Sequence, residues 1–217
     1  LHMGKTMRED LTVVVKYIKQ LYPPEFNVFS TYAELYHNYF ASQVKKTAES
    51  HLEDKDIYLV LSWVHNIYLK NMRKEQVLAE ELEKVQLGSL LPSSLSKELE
   101  KKYLESEEAT IKNSLSKCLE KEIQRWKEDK EPEKLNGHFQ SELLAIFAIQ
   151  SIYSGQKRAE EISEAVGKRL SHHLWQELPT FLRSYRDAFE DFKEKSKKHT
   201  HYRPILISSI NNCWNFR

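Results

Sequence analysis

At 217 residues, with 33 Lys+Arg against 32 Asp+Glu, the chain carries a formal net charge of +1 and offers no broad basic field for nucleic acid. Five glycines, six prolines, 30% charged and 11% aromatic residues disfavour both a turn-rich β fold and a disordered chain. The two cysteines, Cys118 and Cys213, lie far apart without CxxC spacing and read as buried or free cytosolic thiols rather than a disulfide.

Leu1-His2-Met3-Gly4 has the character of a cloning remnant and is set aside, leaving residues 5–217 as the folding segment. Leu11, Val14, Val15, Ile18 and Leu21 recur at helical spacing, and Pro23-Pro24 ends that first helix. A second helix from about Asn27 carries an aromatic stripe, Phe29, Tyr32, Tyr36, Tyr39 and Phe40, read as core. Residues 57–69 are apolar or aromatic except for Ser62, His65 and Asn66, which share one face. This third helix reads as the central packing element, and at ~20 Å it is too short to cross a bilayer.

Between Asn71 and Pro92 the pattern supports a long connection with at most a short helix. The longest helix follows, from Ser93 to about Lys130, on a stripe of Leu95, Leu99, Ile111, Leu115, Cys118, Leu119, Ile123 and Trp126. Glu131-Pro132-Glu133 and Gly137 punctuate the chain before a helix holding Leu143, Leu144, Ile146, Phe147, Ile149, Ile152 and Tyr153. Gly155 reads as a turn. The next helix runs through Ile162, Val166, Leu170, Leu174, Phe181, Tyr185, Phe189 and Phe192, with Pro179 expected to kink or split it. A charged stretch from Lys193 to Arg203 precedes a last apolar segment that stops mid-pattern, as a piece of a longer protein would. The expectation is an all-α, elongated rod of antiparallel helical bundles with about seven helices.

Chemistry-bearing motifs are scarce. There is no Gly-rich phosphate loop, HExxH or GxSxG. His173 and Glu177 share a helix face and would hold a divalent ion only with a third ligand, which the sequence does not supply; a helical metalloenzyme is the alternative of another class. His65 reads as a core histidine. Lys193, Lys195, Lys197, Lys198 and Arg203, with His199 and His201, form the one concentrated basic run, read either as a solvated linker or as a contact for acidic lipid or a partner. No cofactor is implied.

Three stretches together resemble one family. They are Asn27-Val28-Phe29 followed by Tyr32, Leu35, Tyr36 and His37; Leu61-Ser62-Trp63-Val64-His65-Asn66-Ile67-Tyr68; and Ile210-Asn211-Asn212-Cys213. With Phe181-Leu182-x-x-Tyr185 they are similar to the Sec-six subunit of the exocyst, a family whose vertebrate members include the exocyst-component-three-like proteins and M-Sec. The resemblance implies a non-catalytic scaffold from the helical C-terminal region of a longer protein, tethering vesicles at the plasma membrane in exocytosis. It implies a cytoplasmic protein, peripheral at that membrane, with other exocyst subunits, SNARE proteins and Ral-type GTPases as partners. An M-Sec-like branch would shift the role toward membrane protrusions and nanotubes. In either branch Trp63, Asn66, Tyr68, Asn211 and Asn212 serve as structural signatures rather than as a reaction centre.

Overall fold

Proline punctuation and helical periodicity set the order of elements, and the computed structural model describes residues 2–140, 144–214 and 216. The helices are α1 (His2–Val13), α2 (Val28–Ala48), α3 (Asp54–Ser62), α4 (Tyr68–Met72), α5 (Gln76–Leu82), α6 (Ser93–Lys127), α7 (Leu144–Ile162), α8 (Glu164–Lys195) and α9 (Tyr202–Trp214). Helical backbone continues from α1 through a π turn at Val14–Ile18, and from α3 to α4 through another at Trp63–Ile67. The described residues therefore form eight helical runs where about seven were expected. The fold is all-α, with one departure: β1 (Lys134–Leu135) pairs antiparallel with β2 (His138–Phe139). Asn136 and Gly137 turn that hairpin at φ 50 and 80, the left-handed pair that Asn-Gly favours.

Three expectations along the chain are corrected. Gly155 lies inside α7, not in a turn; an added Cβ there would sit 2.4 Å from Ile111 Cδ1, so the glycine admits a close neighbour. Pro179 does not split α8, because it stands on the exposed face, where water can satisfy the carbonyl left without its helical donor. Only part of the α2 aromatic stripe is core. Phe29 and Phe40 are buried, but Tyr32 and Tyr39 face outward because Ala33, His37 and Val44 complete the inner face. Leu143, expected in α7, lies outside the described residues. His2 to Gly4, set aside in the sequence, fall within α1.

Two compact units result, Leu1–Leu104 with Glu161–Glu164, and Glu105–Glu160 with Ala165–Arg217. The first is centred on Met7, Leu11, Phe40, Leu61, Tyr68, Met72 and Leu78, all 2% exposed or less. The second is centred on Ile152, Leu170 and Leu174, with Trp126 ringed by Tyr185, Phe189 and Phe192 at 5.5 to 5.9 Å. On α7 the buried row includes the small residues Ala145, Ala148 and Ala159. Leu144, Ile152 and Ile162 are buried in the same row, while Ile146, Phe147 and Tyr153 are exposed.

Candidate functional site

The signature residues brace the backbone. Trp63 opens the second π turn, its ring 5.2 Å from that of Tyr68 and 6.1 Å from that of Phe40. Tyr68 is 2% exposed, and its hydroxyl lies 3.2 Å from His37 Nδ1 and donates to Met7 Sδ. The extra residue of a π turn changes which side chains face inward. Here the polar stripe expected on one face is divided: Ser62 is buried, His65 Nε2 meets Ser96 Oγ at 3.0 Å, and Asn66 Nδ2 donates to the Glu161 carbonyl at 2.8 Å. Asn211 Nδ2 donates to the Phe139 carbonyl at 2.8 Å and so holds the hairpin to α9. Asn212 Oδ1 accepts the Ala145 N–H at 3.3 Å.

Both ends of α7 thus have backbone groups satisfied by asparagines distant in sequence, where a helix would otherwise leave orphans. Replacing Asn212 with Ala uncaps a buried N–H and is expected to cost about 1–2 kcal/mol of stability. Urea unfolding measures it, and the Asn212→Asp variant, which keeps the acceptor, should recover part of the loss.

His37, part of the first resemblance stretch, is buried on α2. Burial lowers its pKa, opposed by a backbone hydrogen bond with Ser89. The sign follows: protonation is harder in the folded chain, so the contribution is complete above the ordinary value of 6.5 and is lost as pH falls through the lower folded value. Thermal unfolding across that window should show a falling Tm in the parent and a flatter profile in His37→Phe.

The candidate metal pair is separated by its neighbours. His173 Nδ1 sits 3.4 Å from Glu108, while Lys112 Nζ lies between Glu108 at 2.8 Å and Glu177 at 3.0 Å. An ammonium group thus occupies the space between the carboxylates that a divalent ion would need. No group of three metal-ligating side chains converges among the described residues.

The basic run resolves into two parts. Lys193 pairs with Glu190 at 2.7 Å and Lys195 with Asp191 at 2.6 Å on α8. Lys197 and Lys198 are exposed in the turn that follows, and Arg203 is exposed at the start of α9. That turn is pinned: Asp129, at φ 50, accepts the N–H groups of Thr200 and His201, both at 2.8 Å. Those backbone donors, the His201 amide first, hold the Asp129 carboxyl below its usual pKa. No local motif encodes this clamp, because its partners are over seventy residues apart.

A groove runs between α6 and α7 in the second unit. Two adjoining cavities of about 330 and 280 Å³ share Ser114 and Phe147. Lys117, Lys121 and Arg125 rim the α6 side, and on the α7 side Leu144 and the exposed Phe147 give way to Gln150, Ser151, Ser154 and Arg158. From Thr110 to Arg125 the groove follows roughly 22 Å of helix. Its shape and chemistry suit binding, with no constellation of nucleophile and base.

A family model described as Exocyst complex component Sec6 matches residues 1–217. Over 213 residues the chain is 46% identical to Tumor necrosis factor alpha-induced protein 2 of Mus musculus, covering 98% of this chain and 31% of that protein. Over 210 residues it is 28% identical to Exocyst complex component 3-like protein of Danio rerio, covering 94% and 27% respectively. The crystal structure of M-Sec superposes with a TM-score of 0.93 at 44% identity, over 100% of this chain and 37% of the other. The chain spans about a third of the length of the curated relatives it matches.

Proposed function

The chain belongs to the Sec6 family of exocyst components, and from that premise we propose that it is a non-catalytic docking module of an M-Sec-like protein. The observation that carries this reading is the superposition on M-Sec, at 44% identity over 100% of this chain, set beside 28% identity to the exocyst component 3-like relative. Its role is to bind exocyst subunits and a Ral-type GTPase in the cytoplasm, at the plasma membrane, where the longer protein promotes protrusions. Vesicle tethering in exocytosis, with SNARE proteins among the partners, is the second reading, favoured by the exocyst family match itself.

Docking to protein is favoured over docking to lipid by magnitude. The exposed cations Lys197, Lys198 and Arg203 supply only about 1 kcal/mol each near an acidic surface, too little to anchor a protein alone. No described helix is long and apolar enough to cross a membrane. Exposed apolar and aromatic side chains beside a groove are the more effective anchors for a partner helix.

Co-precipitation of exocyst subunits with the full-length protein tests the proposal. The unaltered protein should capture them, and Phe147→Asp with Ser154→Arg should reduce capture while leaving thermal unfolding of the 217-residue chain unchanged. Capture unaffected by the double variant would overturn the groove as the docking face. Absence of capture by the unaltered protein would overturn the exocyst reading itself.

A further inference from the structure

The α6–α7 groove carries a charge pattern that specifies its occupant. Lys117 and Lys121, one helical turn apart on α6, line its larger cavity and are exposed. Neither makes an ion pair among the described residues, whereas Lys102 and Lys112 on the same helix pair with Glu98 at 2.7 Å and Glu108 at 2.8 Å. Like charges four residues apart on a helix repel, so this pair carries a small cost that an anionic neighbour removes. Arg125, a further turn along, is already engaged with Glu122.

Beside the two lysines the wall of the cavity is apolar, made by half-buried Cys118, buried Leu144 and exposed Phe147. The cavity is about 330 Å³, near the lower limit for a small-molecule site, and it opens along α6 into its neighbours. That shape suits a row of side chains better than one compact ligand. Beyond Arg125 the groove meets a further cavity of about 280 Å³ that shares Glu122 and Arg125, where Glu128, Glu131 and Glu133 turn the lining acidic. An anionic occupant is thus attracted in the middle of the groove and repelled at its hairpin end, which sets its register.

We propose that the groove binds an acidic amphipathic helix of a partner protein, which rests on the groove being the docking face. Two carboxylates four residues apart on that helix pair with Lys117 and Lys121, because a helix laid along α6 repeats the same rise of ~6 Å. A large apolar side chain on the same face packs against Cys118, Leu144 and Phe147. Recognition of a helix in a groove reads anchors at i, i+3 and i+4, and charges beside them reject the wrong partner. An acidic bilayer is disfavoured, because two exposed cations attract it too weakly and the apolar wall is concave, out of reach of a flat membrane.

The test is selection of binders to the 217-residue chain from a displayed library of amphipathic helical peptides of about 18 residues, randomised at their polar positions, long enough to follow the groove. Affinities are then read by fluorescence anisotropy. Selected peptides should carry a Glu or Asp pair four residues apart beside a large apolar residue. Lys117→Ala with Lys121→Ala should raise their Kd roughly tenfold, Lys117→Glu with Lys121→Glu further, and added salt should weaken binding severalfold. Both lysines are exposed, so thermal unfolding of these variants should match the parent. A library that yields no binder, or binders that lack the acidic pair or keep their affinity for both lysine variants, would overturn the proposal. Should such binders still be lost with Phe147→Asp and Ser154→Arg, docking in the groove stands and only the acidic helix falls. Binders indifferent to that double variant as well would contradict both readings. Flotation of the chain with phosphatidylserine vesicles, abolished by Lys117→Glu with Lys121→Glu, would assign the lysines to lipid and overturn the choice of a protein helix.

Discussion

Trp126→Ala is expected to destabilise the second unit by about 3–5 kcal/mol, the range for deleting a large buried aromatic. The indole is 3% exposed and packs edge-on against Tyr185 at 5.7 Å and Phe189 at 5.9 Å, and tilted against Phe192 at 5.5 Å. Each aromatic contact adds about 0.5–1.5 kcal/mol beyond simple area burial. The loss therefore has several sources, and α6 and α8 share it. Trp175, 50% exposed on α8, is the internal control, and its replacement by Ala should change stability by less than about 0.5 kcal/mol. Urea midpoints for the two variants measure the contrast. Similar midpoints would contradict the placement of Trp126 at the centre of the unit.

Gly167 carries the next largest effect. A Cβ added there would sit 2.4 Å from Glu160 Cγ and only 3.1 and 3.2 Å from the Glu160 backbone N and Cα. The side chain of Glu160 can move, but its backbone belongs to α7, and only Ser163 separates α7 from α8. So tight a reversal leaves no room for a side chain on the inner face of the first turn of α8. An exposed helix normally gains about 1 kcal/mol from Gly→Ala. At this site overpacking should reverse the sign, giving a net loss of about 1–3 kcal/mol for Ala and more for Val. Gly155 offers the comparison, since its nearest obstacle, Ile111 Cδ1, is the tip of a flexible side chain. Gly155→Ala should be close to neutral or mildly stabilising. Equal losses at both glycines, read from thermal unfolding, would show that helix contact rather than backbone clearance controls the two positions.

Long apolar periodicity made the helices readable before any coordinates. The stripe from Leu99 to Trp126 lies on one continuous helix, and Leu170, Leu174, Phe181 and Tyr185 are buried as their spacing requires. Where large residues mark a face the reading succeeds; where small ones do, it fails. On α7 alanines share the buried row with Leu144, Ile152 and Ile162, so apolar residues spread over most of the circumference mark no single inner face, and Ile146, Phe147 and Tyr153 face solvent. On α2, Ala33 and His37 displaced Tyr32 and Tyr39. Asn136-Gly137 was a visible hairpin signal that the surrounding helices overshadowed. The π turn at Trp63–Ile67 has no local signature. It reflects contacts made at a distance, including the bond from Asn66 to Glu161. Functional features were harder still. The Asp129 clamp joins residues more than seventy positions apart, which no short motif encodes.

Asn66, Asn211 and Asn212 all act through backbone hydrogen bonds to distant segments. Each side chain satisfies a backbone group on another segment, so the conformation rather than a reaction depends on it. Replacing them should alter binding only to the extent that it alters folding.

Biolayer interferometry of purified exocyst complex on the immobilised 217-residue chain examines the docking role most directly. Saturable binding with a Kd in the micromolar range or tighter is predicted, equivalent to about 8 kcal/mol or more. It should be unchanged by Trp175→Ala and lost with Phe147→Asp and Ser154→Arg. No saturable signal at concentrations well above that range, from a chain whose thermal unfolding is cooperative, would contradict the account.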